Sequence, residues 1–175
     1  MKIVAFAASN STKSINKTLV TYAASLLDGV DVDVLDLNDY ELPLFSEDKE
    51  LEIGKPELAK NFLSKITNSD ALIISFAEHN GSYTAAYKNL FDWCSRINHK
   101  IFQNKPMLLL ATSPGPGGAS NVLNTAINSL PHFNGKLIAS YSLPKFYDNF
   151  DLEKKQISNN DMALEFQTKV ESLIV

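Results

Sequence analysis

Short apolar runs alternate along the chain with longer segments in which apolar residues recur at helical spacing. Near-continuous apolar runs are typical of strands that are buried on both faces of a parallel sheet. Such runs predict strands over residues 3–7, 71–76, 107–111 and 137–141. In residues 30–35 apolar side chains alternate with aspartates instead, which indicates a half-exposed edge strand.

The intervening segments carry apolar stripes that predict five helices, over residues 15–27, 58–66, 86–97, 122–130 and 163–173. Gly29 is expected to end the first helix, and Pro131 to close the fourth. Five alternating β and α units favour a parallel sheet with helices on both faces, since each crossover is right-handed. We therefore predict a flavodoxin-like, doubly wound α/β fold over residues 1–175, with strand order 2-1-3-4-5.

Composition narrows the possible partners. The 175 residues include 16 Lys and Arg against 20 Asp and Glu, and this net charge of −4 gives no support for nucleic-acid binding. The single cysteine, Cys94, forms no internal disulfide and is expected to be a small apolar residue on a helix. No apolar stretch approaches the roughly 20 residues of a membrane span, so we expect no membrane partner and a cytoplasmic location.

In this fold, ligands bind beyond the carboxyl ends of the strands, where strand order reverses. The loop after the first strand, residues 8–16, contains Ser, Thr or Asn at six of nine positions, and a helix begins at about Ser14. Hydroxyls and free N–H groups at a helix N-terminus form an anion site, to which Lys13 adds one charge. The loop matches neither the P-loop nor the dinucleotide fingerprint, and an ordinary capped loop is the alternative interpretation.

The loops after the third and fourth strands suit a planar ring. Backbone N–H groups near Asn80 and Gly81 are able to meet the polar edge of such a ring, and Gly81 permits close approach or a positive φ. His79 would lie against the ring, although a surface loop histidine is the simpler interpretation. The glycine and proline run of residues 114–118 is expected to form a tight loop with exposed N–H groups.

These loops resemble the NADPH-dependent FMN reductase family. Residues 78–83, Glu-His-Asn-Gly-Ser-Tyr, followed by Lys-Asn at 88–89 and Asp-Trp at 92–93, resemble its P-E-Y-N-G-S-Y-P…K-N…D-W signature. Residues 8–16 are similar to its G-S-x-R-x-x-S-x-N loop, and residues 112–118 to its S-x-S-P-G-x-x-G-G loop, one residue shorter. The chain departs from the family pattern at five positions: Ala8, Ser11, Ala77, His79 and Thr84.

The resemblance implies bound FMN, with NADPH or NADH as hydride donor and a small molecule such as a flavin or quinone as acceptor. It assigns no catalytic side chain and no metal, because the cofactor carries the reaction. The implied cofactor-binding residues are, for the phosphate and ribityl side, Ser9, Ser11, Ser14, Ile15 and Asn16, for the ring Ala77, Glu78, His79, Asn80 and Gly81, and for its far edge Ser113 and Gly115.

The resemblance also implies a homodimer or homotetramer, with the helix at residues 86–97 at the interface. Tyr87, Phe91 and Trp93 give that helix more aromatic surface than one core face requires. Two other functions are open at this point: a flavodoxin-type electron carrier that does not oxidise nicotinamide nucleotides, and a flavin-free interaction domain on the same fold.

Overall fold

The computed structural model describes residues 1–174, which form a five-stranded, all-parallel sheet of order β2-β1-β3-β4-β5. This confirms the predicted strand order, and each strand lies within a few residues of its predicted position. The strands are β1 (Lys2–Ala8), β2 (Asp31–Leu35), β3 (Ala71–Phe76), β4 (Pro106–Thr112) and β5 (Lys136–Leu143).

Seven helices surround the sheet in the described part of the chain. Two of them, over residues 47–53 and 146–149, lie in connections where no helix was predicted. A small hairpin, β6 (Phe150–Asp151) and β7 (Gln156–Ile157), precedes the last helix. The helices are α1 (Ile15–Ser25), α2 (Glu47–Ile53), α3 (Glu57–Thr67), α4 (Ala85–Ile97), α5 (Ser120–Ser129), α6 (Phe146–Asn149) and α7 (Asn160–Glu171).

The central strands separate two hydrophobic cores, because successive side chains along a strand point to opposite faces. On β1, Val4 and Phe6 face a core shared with α3, α4 and α5. Ile3 and Ala5 face a second core shared with α1 and α7. The edge strand β2 is only partly buried, as its aspartate alternation predicted. No helix within residues 1–174 is long and apolar enough to cross a membrane.

One predicted helix end was wrong. Helix α1 ends at Ser25, with Leu26 as its C-cap, while Gly29 lies in the turn before β2 with φ +74°. Helix α5 ends at Ser129, two residues before Pro131, as predicted. Pro131 lies at the start of a 3₁₀ turn at Leu130–Phe133, where a missing N–H costs nothing.

The aromatic surplus predicted on α4 is mostly internal. Tyr87 and Trp93 are 4% and 0% exposed and belong to the core between α4 and the sheet, whereas Phe91 is partly buried. These two residues therefore give no support for a subunit interface. Cys94 is also buried, as expected, and burial raises the pKa of its thiol to about 12.

An ion pair joins the start of α1 to the end of β2. The Lys17 ammonium donates to the Asp36 carboxylate, which also accepts from the Asn38 N–H at 2.9 Å. These contacts, led by the Lys17 hydrogen bond, lower the pKa of Asp36 to about 2 from its ordinary 3.8. The carboxylate form is thus favoured in the folded state, and the stabilisation requires Asp36 to be ionised.

Asp36→Asn is expected to lower the free energy of unfolding at pH 7 by about 1 kcal/mol, since solvent screens this partly exposed pair. Because the folded-state pKa is depressed, the effect is complete above about pH 4 and fades as the pH falls towards 2. Urea unfolding across this range measures it, with the exposed Asp31→Asn as the control. A difference from wild type that stays constant down to pH 2 would contradict the ion-pair assignment.

Candidate functional site

The loops after β1, β3 and β4 meet at the carboxyl edge of the sheet around a cavity of about 240 Å³. Of the twelve residues predicted for cofactor binding, nine line this cavity: Ser9, Ser11, Ser14, Ile15, Asn16, Ala77, Glu78, His79 and Ser113. Asn80 and Gly81 lie beyond it in the exposed turn after His79, and Gly115 lies one residue past its rim. Strand order reverses at this edge, which is where open α/β sheets bind ligands.

The buried side chain of Asn16 connects three elements of the site. Its Oδ1 accepts from the Ser75 hydroxyl at 2.8 Å and from the Thr112 N–H at 3.0 Å. Its Nδ2 donates to the Thr112 carbonyl at 3.0 Å. Asn16 is 2% exposed, so this amide serves the protein itself rather than a ligand. If Asn16 binds the cofactor as predicted, it does so through its backbone N–H and not through its side chain.

The first turn of α1 presents hydrogen-bond donors to the cavity. Ser14 is the N-cap, and its Oγ accepts from the Lys17 N–H at 3.2 Å. The N–H groups of Ile15 and Asn16 precede the first residue with an intrahelical acceptor, so they are free to bind an anion. The Ser9 Oγ accepts from the Ser11 N–H at 3.2 Å, which fixes the loop. Helix dipole and free N–H groups together favour an anion here.

The loop after β3 closes in a tight turn. The backbone groups of His79 and Ser82 pair in both directions, at 3.0 and 3.1 Å. Asn80 and Gly81 between them have φ of +52° and +75°, the two positive angles of a type I′ turn. Asn-Gly is the dipeptide that this turn favours, so the turn conformation explains why these two residues stand in the motif. The turn leaves Asn80 and Gly81 exposed, next in the chain to His79, which lines the cavity.

Glu78 joins the β3 loop to the start of α5. Its carboxylate accepts from the Val122 N–H at 2.9 Å and from the Asn121 side chain at 3.4 Å. The N-cap position of α5 is Ala119, whose side chain makes no capping hydrogen bond. Glu78 therefore supplies from another loop the acceptor that the helix start lacks.

The loop after β4 is held by the chain that follows β5. Ser113 and Gly115 accept backbone hydrogen bonds from Phe146 and Lys145 at 3.0 and 2.9 Å. Gly118 has φ +58°, and a Cβ on it would clash with the Ser142 side chain. The Gly-Gly pair of the motif is thus partly explained by close packing against β5.

The remaining signature residues are structural. The Asn89 side chain accepts from the Phe45 N–H at 2.8 Å and donates to the Leu42 carbonyl at 3.1 Å. The indole of Trp93 donates to the Pro43 carbonyl at 2.8 Å. Together they hold the segment after β2 against α4. Lys88 pairs with Asp92 at 2.7 Å on the same helix.

Thr84 explains one departure from the family pattern. It is buried, caps α4 by accepting from the Tyr87 N–H at 3.2 Å, and donates to the Ala8 carbonyl at 2.9 Å. A proline at this position has neither a hydroxyl donor nor an acceptor. The substitution therefore adds a direct link between the β3 loop and the end of β1.

Sequence reasoning missed three residues that line the cavity, Thr112, Pro114 and Tyr147. Thr112 and Pro114 lie inside a loop that had been singled out, so their inclusion follows from that loop. Tyr147 comes from α6, outside every motif, and no sequence signal marks it. Lys13, expected as one added charge, does line the cavity.

A larger enclosed cavity of about 320 Å³ lies between α4 and α5. Its walls are mainly aromatic side chains, and it includes none of the loop residues that line the cavity at the sheet edge. Its lining is largely apolar, which suits a phosphate less well than the hydroxyls and helix start at the sheet edge.

A doubly wound, all-parallel sheet of order 2-1-3-4-5, with a cavity beside the start of its first helix at the switch point, defines a flavodoxin-like protein. Residues 1–148 match the sequence model for NADPH-dependent FMN reductase. The chain therefore belongs to the NADPH-dependent FMN reductase family, as its motifs predicted.

The chain is similar to several proteins of known name. It is 29% identical over 121 residues to an NAD(P)H-dependent FMN reductase of Pseudomonas aeruginosa, covering 69% of this chain and 64% of that protein. It is 33% identical over 122 residues to a 2-hydroxy-1,4-benzoquinone reductase of a Burkholderia species, with the same shares. The chain thus spans under two thirds of the length of these two relatives.

A solved structure, the flavoenzyme NAD(P)H:(acceptor) oxidoreductase FerB of Paracoccus denitrificans, superposes with a TM-score of 0.82. The superposition covers 99% of this chain and 94% of FerB, at 23% identity. It confirms the fold over 99% of the chain, which includes most of the segment beyond residue 148.

Asn16→Ala is expected to lower the free energy of unfolding by about 3 kcal/mol, because it leaves buried groups of Ser75 and Thr112 unpaired. Urea unfolding without added FMN measures the effect before any ligand contributes. The control is Asn10→Ala, in the same loop but exposed. Equal urea midpoints for the two variants would show that Asn16 does not hold the three elements together.

Glu78→Ala is expected to cost about 1 kcal/mol of unfolding free energy through the uncapped start of α5. Glu78→Gln keeps an acceptor oxygen for the Val122 N–H and should lose less. Thermal or urea unfolding of the two variants measures this, with the exposed Glu153→Ala as the reference for a glutamate outside the site. If Glu78→Ala is as stable as Glu153→Ala, Glu78 does not cap α5.

Proposed function

We propose that the protein binds FMN at the carboxyl edge of its sheet and passes electrons from NADPH or NADH to a small acceptor. The observation that carries this proposal is the convergence of the loops after β1, β3 and β4 on one cavity beside the free N–H groups of α1. Membership of the FMN reductase family and the names of the relatives support it.

The residues around the cavity fit the phosphate end of FMN. Ser9, Ser14 and the N–H groups of Ile15 and Asn16 supply donors, and Lys13 supplies a positive charge. No acidic side chain other than Glu78 lines this cavity among the described residues, and Glu78 is occupied by the start of α5. Ser11, at the family's arginine position, offers a hydroxyl without the bidentate grip of a guanidinium.

The fit to the flavin ring rests on backbone groups. The type I′ turn exposes the amides of Asn80 and Gly81, and His79 stands at the rim of the cavity. Ala77 replaces the family proline, which leaves its N–H as one more donor. Ser113 and Gly115, fixed by the chain after β5, would border the opposite edge of the ring.

When bound, the flavin supplies the hydride acceptor and then the reductant, so this chain provides binding, alignment and electrostatics rather than an acid or base. Good alignment of two reacting rings is worth roughly 7 to 11 kcal/mol of barrier. Hydrogen bonds that tie the three loops to the sheet and to α5 serve that alignment. Within residues 1–174 no group of His, Cys, Asp and Glu side chains is arranged to hold a metal ion.

The acceptor that we propose is a small planar molecule such as a quinone or a free flavin. Two similar proteins carry names of this kind, the 2-hydroxy-1,4-benzoquinone reductase and an NADPH:quinone oxidoreductase of Arabidopsis thaliana. The exposed turn at Asn80 and Gly81 leaves one face of the site open to a small molecule.

We also propose that the protein assembles as a homodimer or homotetramer through the face of α4 and α5. The support is a group of aromatic side chains on and just after these helices, which pack edge to face: the partly buried Phe91 and Phe133 and the exposed His99 and His132. Sedimentation at micromolar concentration tests this, and a monomer would contradict it.

An anaerobic titration tests the proposed function. The FMN-loaded protein should lose its visible flavin absorbance on addition of one equivalent of NADPH or NADH, and a quinone should restore it. Retention of FMN without loss of absorbance would instead support an electron carrier. A protein that cannot be loaded with FMN would support the flavin-free interaction domain.

Gly81→Val is expected to weaken FMN binding by at least about tenfold, because a β-branched residue at φ +75° forces the turn out of shape. Fluorescence titration with FMN measures this. Gly29→Val is a matched control, since Gly29 has φ +74° and the same open surroundings but lies at the opposite edge of the sheet. Unchanged FMN affinity in Gly81→Val would overturn the ring assignment.

A further inference from the structure

A groove of about 620 Å³, which we call the outer groove, runs beside the cavity at the sheet edge. It lies between the outward face of α1 and the segment of α6, β6 and β7. Four lining residues are common to both spaces, Lys13, Ser14, Ile15 and Tyr147, so the two are continuous across the first turn of α1.

The outer groove is positively charged although the chain as a whole has a net charge of −4. Among the residues that the structure describes, those lining the groove include Lys13, Lys17 and Lys155 but no Asp or Glu. The charge of Lys17 is balanced by Asp36. Lys13 and Lys155 form no ion pair within residues 1–174. Two uncompensated ammonium groups therefore border the groove.

The groove also offers apolar surface to a flat ring. Tyr147 and Leu152 are 62% and 55% exposed. Beneath them, Tyr22 and Phe150 meet edge to face with ring centroids 5.7 Å apart, and Tyr22 stacks on the buried Phe166 at 5.4 Å. This floor is rigid, because both of its rings are anchored in the core around α7.

We propose that the outer groove binds the adenosine half of the nicotinamide nucleotide, and that Lys155 binds its 2′-phosphate, so that NADPH is preferred over NADH. The inference rests on the proposed function. A nucleotide whose nicotinamide reaches the flavin needs a second site for its adenosine, and the outer groove adjoins the cofactor cavity. A 2′-phosphate carries close to two negative charges at neutral pH, and Lys155 is the ammonium group of the groove that serves neither an ion pair nor the proposed FMN phosphate.

A binding measurement tests the groove without turnover. Calorimetry of the FMN-loaded protein should show adenosine 2′,5′-bisphosphate binding at least about tenfold tighter than adenosine 5′-monophosphate. Lys155→Gln should remove most of that difference. Lys154→Gln is the matched control, since Lys154 makes the same change of charge one residue away but does not line the groove. Equal affinity for the two nucleotides in wild type, or equal effects of the two variants, would overturn the inference.

Kinetics separate this inference from the proposed function. In Lys155→Gln, the KM for NADPH should rise about tenfold while kcat stays near wild type, and kcat/KM for NADH should change by less than about threefold. An unchanged NADPH to NADH preference would overturn the groove assignment and leave the reductase function standing. If neither nucleotide reduces the flavin in wild type, the proposed function fails, and calorimetry alone then decides whether the groove binds a 2′-phosphate.

Discussion

The side-chain amide of Asn16 joins the three elements on which the site depends. It sits in the first turn of α1 and satisfies Ser75 of β3 and both backbone groups of Thr112 of β4. A buried polar network of this kind is costly to break and has one satisfied geometry. The start of α1 is therefore fixed relative to the sheet edge, and so are its free N–H groups beside the cavity.

Further contacts extend this order to the loops that would hold a flavin. Glu78 connects the β3 loop to α5 by a hydrogen bond, and Thr84 connects it to β1 in the same way. Backbone hydrogen bonds hold the β4 loop to the chain after β5. Each contact uses a residue at or near a family motif, so part of the motif serves to fix the loops rather than to touch a ligand. Such preorganisation suits chemistry in which the cofactor reacts and the protein aligns two rings.

Strand order and five of the seven helices were predictable, because burial on both faces and right-handed crossovers leave few topologies. Helices α2 and α6 were not, since neither short segment carries an apolar stripe long enough to stand out. The role of Asn16 was not, since spacing along a chain does not reveal a hydrogen bond to a residue 96 positions away. The aromatic surplus expected on α4 was wrong at Trp93, because a helix can bury aromatic side chains on a wider arc than one stripe suggests. No sequence signal marked Tyr147, because only the folded chain brings α6 to the loop after β1.

Backbone amide NMR spectra recorded with and without FMN test most directly whether FMN binds at the edge of the sheet. The largest shifts are expected at Ile15 and Asn16, at Asn80 and Gly81, and in the loop after β4. Shifts centred on the aromatic cavity between α4 and α5, around Phe91, would place FMN between those helices and contradict binding at the sheet edge.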